Sequence, residues 1–386
     1  MLTNTTSKTK ILMVADPFGF GPTGSLLNAR KQMINVRGSF RFFGFEHVKG
    51  IVDESLFEKC SYAKDYVDYK KNILEDIIWS DVIWSATEFH VVEIAAQENK
   101  PVIIYDPLFW FWNELQIKNF ENVTYLVQNF IGVKEKIENL KSNIRSKFIV
   151  LPLSIYEHEP KKVQKHFNQK YLLVNLCGFN NPLLTLEGYY KYIIGCLIEA
   201  LKDSPWEKIV IAGNPDQIKQ SKIDHPKINY TIFRHEQMLI EIEKADLLLT
   251  CPGLNSAIEG IMHNTPVCFL PPQNFSQARQ LKHFYQAGIV EHYLNWDSII
   301  SGTFNYNESD EKEAIKYLNC MMMHCRNSEY KTKSFIIILK LILNQNSISI
   351  DSLQKKQKQF IGLLNMVSDM SFEQCINKLF PVLPYS

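Results

Sequence analysis

Residues Arg234 to Gln277 read RHEQMLIEIEKADLLLTCPGLNSAIEGIMHNTPVCFLPPQNFSQ. Within them Asp246–Thr250 and Val267–Leu270 are short apolar runs. Each leads into a loop of small residues, Pro or Asn, and then into a helical pattern. Strand, loop and helix in alternation imply a parallel sheet with crossover helices. Two earlier runs, Tyr171–Leu176 and Lys208–Ala212, extend the series, so residues 171–310 are expected to form one Rossmann-like domain.

The same rhythm occupies residues 1–155. Apolar runs at Lys10–Ala15, Phe40–Phe45, Asp81–Ser85, Val102–Tyr105 and Phe148–Leu151 alternate with helical patterns such as Tyr69–Trp79 and Val91–Asn99. The lysine-rich stretch Tyr156–Lys170 is the expected hinge. Residues 311–386 are helical in pattern and are expected to pack back on the first domain. The fold class is therefore α/β, two Rossmann-like domains facing a cleft, with a helical C-terminal region.

At 386 residues the chain exceeds one ordinary core, which agrees with two domains. The balance of 42 Lys+Arg against 41 Asp+Glu gives no global field to recruit a nucleic acid polymer or an anionic membrane. Eight cysteines without a CxxC pair argue against a zinc site or a disulfide framework, and for a reducing, cytoplasmic setting. The apolar stretch Phe335–Leu343 is too short to span a bilayer and contains Lys340, so no integral membrane association is expected.

In open α/β sheets ligands bind beyond the carboxyl ends of the strands, where helix N-termini present unpaired N–H groups. Three loops of the second half fit. The first, Cys177-Gly178-Phe179-Asn180-Asn181-Pro182, lets backbone approach a phosphate closely at Gly178, with Asn180 beside it. In the second, Cys251 to Gly260, Gly253, Asn255 and Ser256 are candidates for a diphosphate. Glu259 can accept two hydrogen bonds from a ribose diol, or merely favour its own helix start. The third, Leu270 to Gln277, offers the neutral amides of Asn274 and Gln277 to sugar hydroxyls, or simply turns the chain.

The ordered set Phe233-Arg234-His235-Glu236-Gln237-Met238, Ala245–Thr250, Gly253, Glu259, Pro266 and Pro271-Pro272-Gln273 resembles the donor half of GT-B glycosyltransferases, with a pattern similar to the peptidoglycan N-acetylglucosaminyl transferases. The resemblance implies that Arg234, His235 and Met238 frame a uracil. It places the diphosphate at Gly253–Ser256, the ribose at Glu259 and the sugar at Asn274 and Gln277. Val102–Trp112, Tyr125–Phe130 and Val174–Phe179 look like the cytosylglucuronate synthases, which join UDP-glucuronate to a free pyrimidine base. Cys177 stands where a glycine is more usual.

These resemblances imply a metal-independent, inverting hexosyl transfer from a UDP-sugar co-substrate to a small-molecule acceptor, with no other cofactor. A hydroxyl acceptor then needs a general base. Asp16, between the first strand and Gly19-Phe20-Gly21, is the first candidate; Glu88, His90 and Asp106 follow later strands. Each has a plainer role open to it, Asp16 in ordering the glycine loop and Asp106 in capping a turn. The segment GFGPTGS lacks both the Walker lysine and GxGxxG spacing, so it is no nucleotide fingerprint. Two other functions share the pattern: sugar-nucleotide 2-epimerisation, and sugar-nucleotide binding without catalysis.

Overall fold

The computed structural model describes residues 8–153, 170–178, 188–292, 294–296, 311–345 and 347–380. The chain divides into two compact units, Met1–Glu157 with Leu364–Ser386, and His158–Leu363. Among the described residues no helix is long and apolar enough to cross a membrane.

The first unit is built on seven strands: β1 (Thr9–Ala15), β2 (Gly38–Phe45), β3 (Lys59–Ala63), β4 (Val82–Ala86), β5 (Val102–Asp106), β6 (Val123–Gln128) and β7 (Phe148–Leu151). All pair in parallel, in the order β3-β2-β1-β4-β5-β6-β7. The crossovers carry α1 (Gly21–Gln32), α2 (Tyr66–Trp79), α3 (His90–Gln97), α4 (Val133–Glu138) and α5 (Ser142–Arg145). Central strands such as Val102–Asp106 are buried along their whole length, as a sheet covered on both faces requires. The edge strand KCSYA is only half-buried and polar, so it gives little apolar signal in the sequence.

Helix α1 begins at Gly21 with Pro22 in its first turn, because proline's fixed φ and missing N–H suit a helix start. Thr23, Gly24 and Ser25 are therefore buried helical residues.

In the second unit β8 (Tyr171–Asn175), β9 (Lys208–Ala212), β10 (Ile228–Thr231), β11 (Leu247–Thr250) and β12 (Val267–Phe269) form a parallel sheet in the order β10-β9-β8-β11-β12. Around it lie α6 (Tyr189–Leu201), α7 (Pro215–Ser221), α8 (His235–Lys244), α9 (Leu254–Met262) and α10 (Phe275–Gln286). Helices Glu311–Asn327 and Glu329–Leu343 pack Leu318, Met322, Phe335 and Leu339 into the same core as α6. The return to the first unit is thus narrower than the expected 311–386: it starts at Leu364, where Phe372, Cys375 and Ile376 join the core beneath Trp84. Sequence pattern shows that these helices are amphipathic but not which core each apolar face meets.

The C-terminal segments also finish two sheet edges, whose unpaired N–H and C=O groups would otherwise stay unsatisfied. In the first unit Asp369 accepts from Val150 N through its carboxylate at 2.8 Å and donates its own N–H to Val150 O at 2.9 Å. In the second, buried Gln357 accepts from Val267 N at 3.1 Å and donates to Val267 O at 2.7 Å and Ile289 O at 3.1 Å. Gln357→Ala strands these buried groups and should cost the second unit about 3 kcal/mol. Chemical denaturation and faster hydrogen exchange at β12 amides read it; unchanged protection there would contradict the edge role.

Candidate functional site

Both sheets reverse their winding beside their first strand, between β1 and β4 and between β8 and β11. Those reversals open the crevices where α/β sheets take ligands. The chemistry the two present is different.

In the first unit Asp16 follows β1 and Glu88 follows β4. Asp16 N donates to Ala86 O at 3.2 Å, and the Asp16 carboxylate accepts from Phe18 N at 2.8 Å, which orders the glycine turn. Glu88 is buried; its Oε1 accepts from His90 N at 2.9 Å and lies 3.1 Å from His90 Nδ1, and its Oε2 accepts from Tyr66 OH at 3.2 Å. Burial, then the neighbouring Glu88 charge, pushes the Asp16 carboxyl well above the ordinary carboxylate range. His90 is shifted up, mainly by its hydrogen bond to Glu88. Thr87, immediately before Glu88, has φ 54°, a costly conformation for a β-branched residue. The structure thus brings together Asp16, Glu88 and His90, and adds Tyr66, which sequence reasoning missed because it lies on α2, far along the chain.

Asp106 is placed otherwise. Its buried carboxylate accepts from Tyr125 OH at 2.8 Å, Leu108 N at 2.9 Å and Trp112 Nε1 at 3.3 Å, fastening the aromatic run to β6. Burial raises it to about 6 against those bonds. These partners give it the turn-ordering role.

In the second unit Asn175, at the end of β8, organises the reversal. Its side chain accepts from Cys177 N at 2.9 Å and donates to Ser256 Oγ at 3.0 Å, while its carbonyl accepts from Cys251 N at 3.2 Å. One amide therefore ties both turns to the first turn of α9. Gly253 caps that helix with φ −83°, which any residue adopts, and a Cβ there would meet Cys177 Sγ at 3.8 Å, an ordinary contact. Neither backbone nor packing demands a glycine, so the space it leaves is open to a ligand that must approach closely. Gly178 is buried beside Cys177, and Asn180 lies outside the described residues.

Ser256 and Glu259, three residues apart, share one face of α9. Glu259 Oε1 lies 2.7 Å from Nε2 of His235, the first residue of α8, with both side chains nearly buried. His235 Nδ1 is buried and has no hydrogen-bond partner among the described residues. Met238 is half-buried one turn further on, whereas Arg234 is exposed; Asn255 is half-buried next to Ser256. The amides of the third loop do local work: Asn274 Oδ1 accepts from Gln277 N at 2.9 Å, and Gln277 Oε1 accepts from Gln273 N at 2.8 Å. The amide that joins this loop to the reversal is Gln273, donating to Leu176 O at 2.9 Å and Cys251 Sγ at 3.1 Å.

No family model and no curated protein matches the chain. Solved structures do. The glycotransferase of kitacinnamycin superposes with a TM-score of 0.51 at 13% identity, over 96% of this chain and 98% of that one. A putative UDP-N-acetylglucosamine 2-epimerase from Listeria monocytogenes gives 0.51 at 11% over 86% and 91%. The glycosyltransferase SnogD from Streptomyces nogalater gives 0.50 at 10% over 97% and 99%. The fold is the GT-B fold. At such identities the likeness fixes architecture, and function has to be argued from the GT-B scaffold's own side chains.

Cys177 has φ 59°, a left-handed conformation that L side chains adopt at a cost. Cys177→Gly should stabilise the second unit by about 1 kcal/mol, because glycine carries no Cβ penalty there. Urea denaturation followed within the second unit checks this; a loss of stability would show that the thiol's contacts outweigh the strain.

Proposed function

We propose that the chain is a glycosyltransferase that moves a hexose from a UDP-sugar to a small acceptor, without metal and with inversion. The observation that carries the reading is the convergence of Gly253, Ser256 and Glu259 on one side of α9 with the ends of β8 and α8. The N–H groups at the start of α9 suit a diphosphate, and the face two turns along carries the carboxylate that suits a ribose diol. UDP leaves against that helix N-terminus, whose dipole and donors stabilise the charge developing on the diphosphate. His235 fixes one Glu259 oxygen and so aims the carboxylate.

In this reading Asp16 takes the proton from the attacking group of the acceptor, a hydroxyl or the ring N–H of a pyrimidine base. A carboxyl raised by burial and by Glu88 is a stronger base than an ordinary aspartate, which is what general-base catalysis near neutrality needs. Glu88 keeps His90 and Tyr66 in place around it. Glucuronate as the sugar and a pyrimidine base as the acceptor are the specific pair favoured by the sequence resemblance. Epimerisation of the sugar nucleotide is the second reading, supported by the equal superposition on the Listeria protein.

The test is incubation with a set of UDP-sugars, with and without acceptors, following UDP and sugar-nucleotide epimers by mass spectrometry. Acceptor-dependent UDP release supports transfer; an epimer formed without acceptor would replace it with the second reading. Asp16→Asn should lower kcat by about a hundredfold or more while UDP still binds. The wild-type rate should fall on acidification at a higher pH than an ordinary aspartate would give, since the carboxylate is the active form. An unchanged kcat in Asp16→Asn would remove this residue from the chemistry.

A further inference from the structure

Two thiols stand at the reversal of the second sheet, and the transfer described above uses neither. Parallel register sets Asn175 of β8 beside Thr250 of β11, so Cys177 and Cys251 follow neighbouring strand ends. Asn175 holds both residues, its Oδ1 accepting from Cys177 N at 2.9 Å and its carbonyl accepting from Cys251 N at 3.2 Å. Cys251 is fully buried, with Gln273 Nε2 donating to its sulfur at 3.1 Å and Tyr189 OH 3.3 Å away. Cys177 is partly exposed, with its sulfur 3.9 Å from Thr250 Oγ1 and 3.8 Å from where a Cβ on Gly253 would lie. One thiol therefore reaches the space beside the cap of α9 and the other waits behind it.

Their environments differ from those of five other cysteines. Burial pushes Cys60, Cys196, Cys268, Cys325 and Cys375 up, which keeps them as inert thiols. The hydrogen bond from Cys251, joined by Thr250 and Ser256, holds Cys177 below the ordinary thiol value against its own desolvation. Cys251 is pushed well up by burial and by Cys177. The pair thus divides into an accessible sulfur that gives up its proton readily and a neighbour that retains one.

We propose that Cys177 and Cys251 are a peroxide-oxidised thiol pair, and that their disulfide closes the second unit to the nucleotide. The Cys177 thiolate attacks one oxygen of hydrogen peroxide; the O–O bond breaks, the departing hydroxide takes up a proton as water, and a sulfenic acid forms. The Cys251 sulfur, losing its proton, then attacks the Cys177 sulfur. The S–O bond breaks, and the hydroxide leaves as water with that proton. Two thiols have lost two electrons, and one peroxide has become two waters.

The closure rests on the donor reading of this turn. Cys177 is held in its left-handed conformation by Asn175 Oδ1 on its N–H and by Tyr190 OH donating to its carbonyl. Bonding its sulfur to Cys251 displaces the Gln273 and Tyr189 contacts on that sulfur and draws the Cys177 turn toward the Cys251–Gly253 turn. The space beside Gly253, where a diphosphate would meet the helix N-terminus, is thereby reduced. A thiol reductant reopens it.

The experiment treats the full-length protein with hydrogen peroxide, maps peptides without reduction, and measures UDP affinity by calorimetry before oxidation, after it, and after dithiothreitol. The expected results are a Cys177–Cys251 crosslinked peptide, absent in Cys251→Ser, and UDP binding at least about tenfold weaker, restored by dithiothreitol. UDP should also slow alkylation of Cys177 by iodoacetamide. Failure to form the crosslink overturns the proposal, as does a crosslinked protein that binds UDP as the reduced one does. Reduced protein that forms the crosslink but never binds UDP would instead refute the donor reading and leave the thiol pair standing.

Discussion

The side-chain amide of Asn175 is the constraint on which the second unit's site depends. It satisfies the N–H of Cys177, reaches across to Ser256 Oγ, and carries the backbone carbonyl that receives Cys251 N. Strand β8, strand β11 and helix α9 are thereby fixed in one geometry at the point where the sheet order reverses. With a nearly buried amide making all these bonds, a shift of either turn would leave polar groups unsatisfied away from water. The start of α9 is thereby tied to the ends of both strands through one residue.

The first unit uses the same topological position for the opposite chemistry. Where the second sheet presents N–H groups, hydroxyls and thiols, the first sets half-buried Asp16 near buried Glu88, close enough for the charge of Glu88 to raise Asp16. Placing like charges together out of water costs free energy, and Tyr66, His90 and the N–H of Phe18 offset part of it. The strained Thr87 just before Glu88 is a further sign that this turn is shaped by more than packing.

Much of the architecture was legible because fully buried parallel strands are unbroken apolar runs. Lys10–Ala15, Val102–Tyr105, Tyr171–Leu176 and Asp246–Thr250 could be found that way, and the glycine, proline and asparagine loops after them marked the carboxyl ends. The edge strands KCSYA and INYT escaped because one face meets solvent and their composition is mixed. The boundary within the C-terminal helices was hidden for another reason: an amphipathic face does not say which core it will meet. Glu259 and Ser256 were readable from helix position, while their partners Asn175 and His235 depend on contacts across 81 and 24 residues that no local pattern records. Asp106, like Asp16, follows a strand end, and the sequence does not record that Tyr125 and Trp112 occupy its carboxylate.

The central claim is that Glu259 reads the ribose of a uridine nucleotide bound at the start of α9. Its most direct measurement is a double-mutant cycle in binding: wild type and Glu259→Gln, each titrated with UDP and with 2′,3′-dideoxy-UDP. Wild type should prefer UDP by about tenfold or more, and Glu259→Gln should lose most of that preference, because the hydrogen bonds to the diol belong to the carboxylate. Equal discrimination by the two proteins, or no binding of UDP by the wild type, would contradict the account.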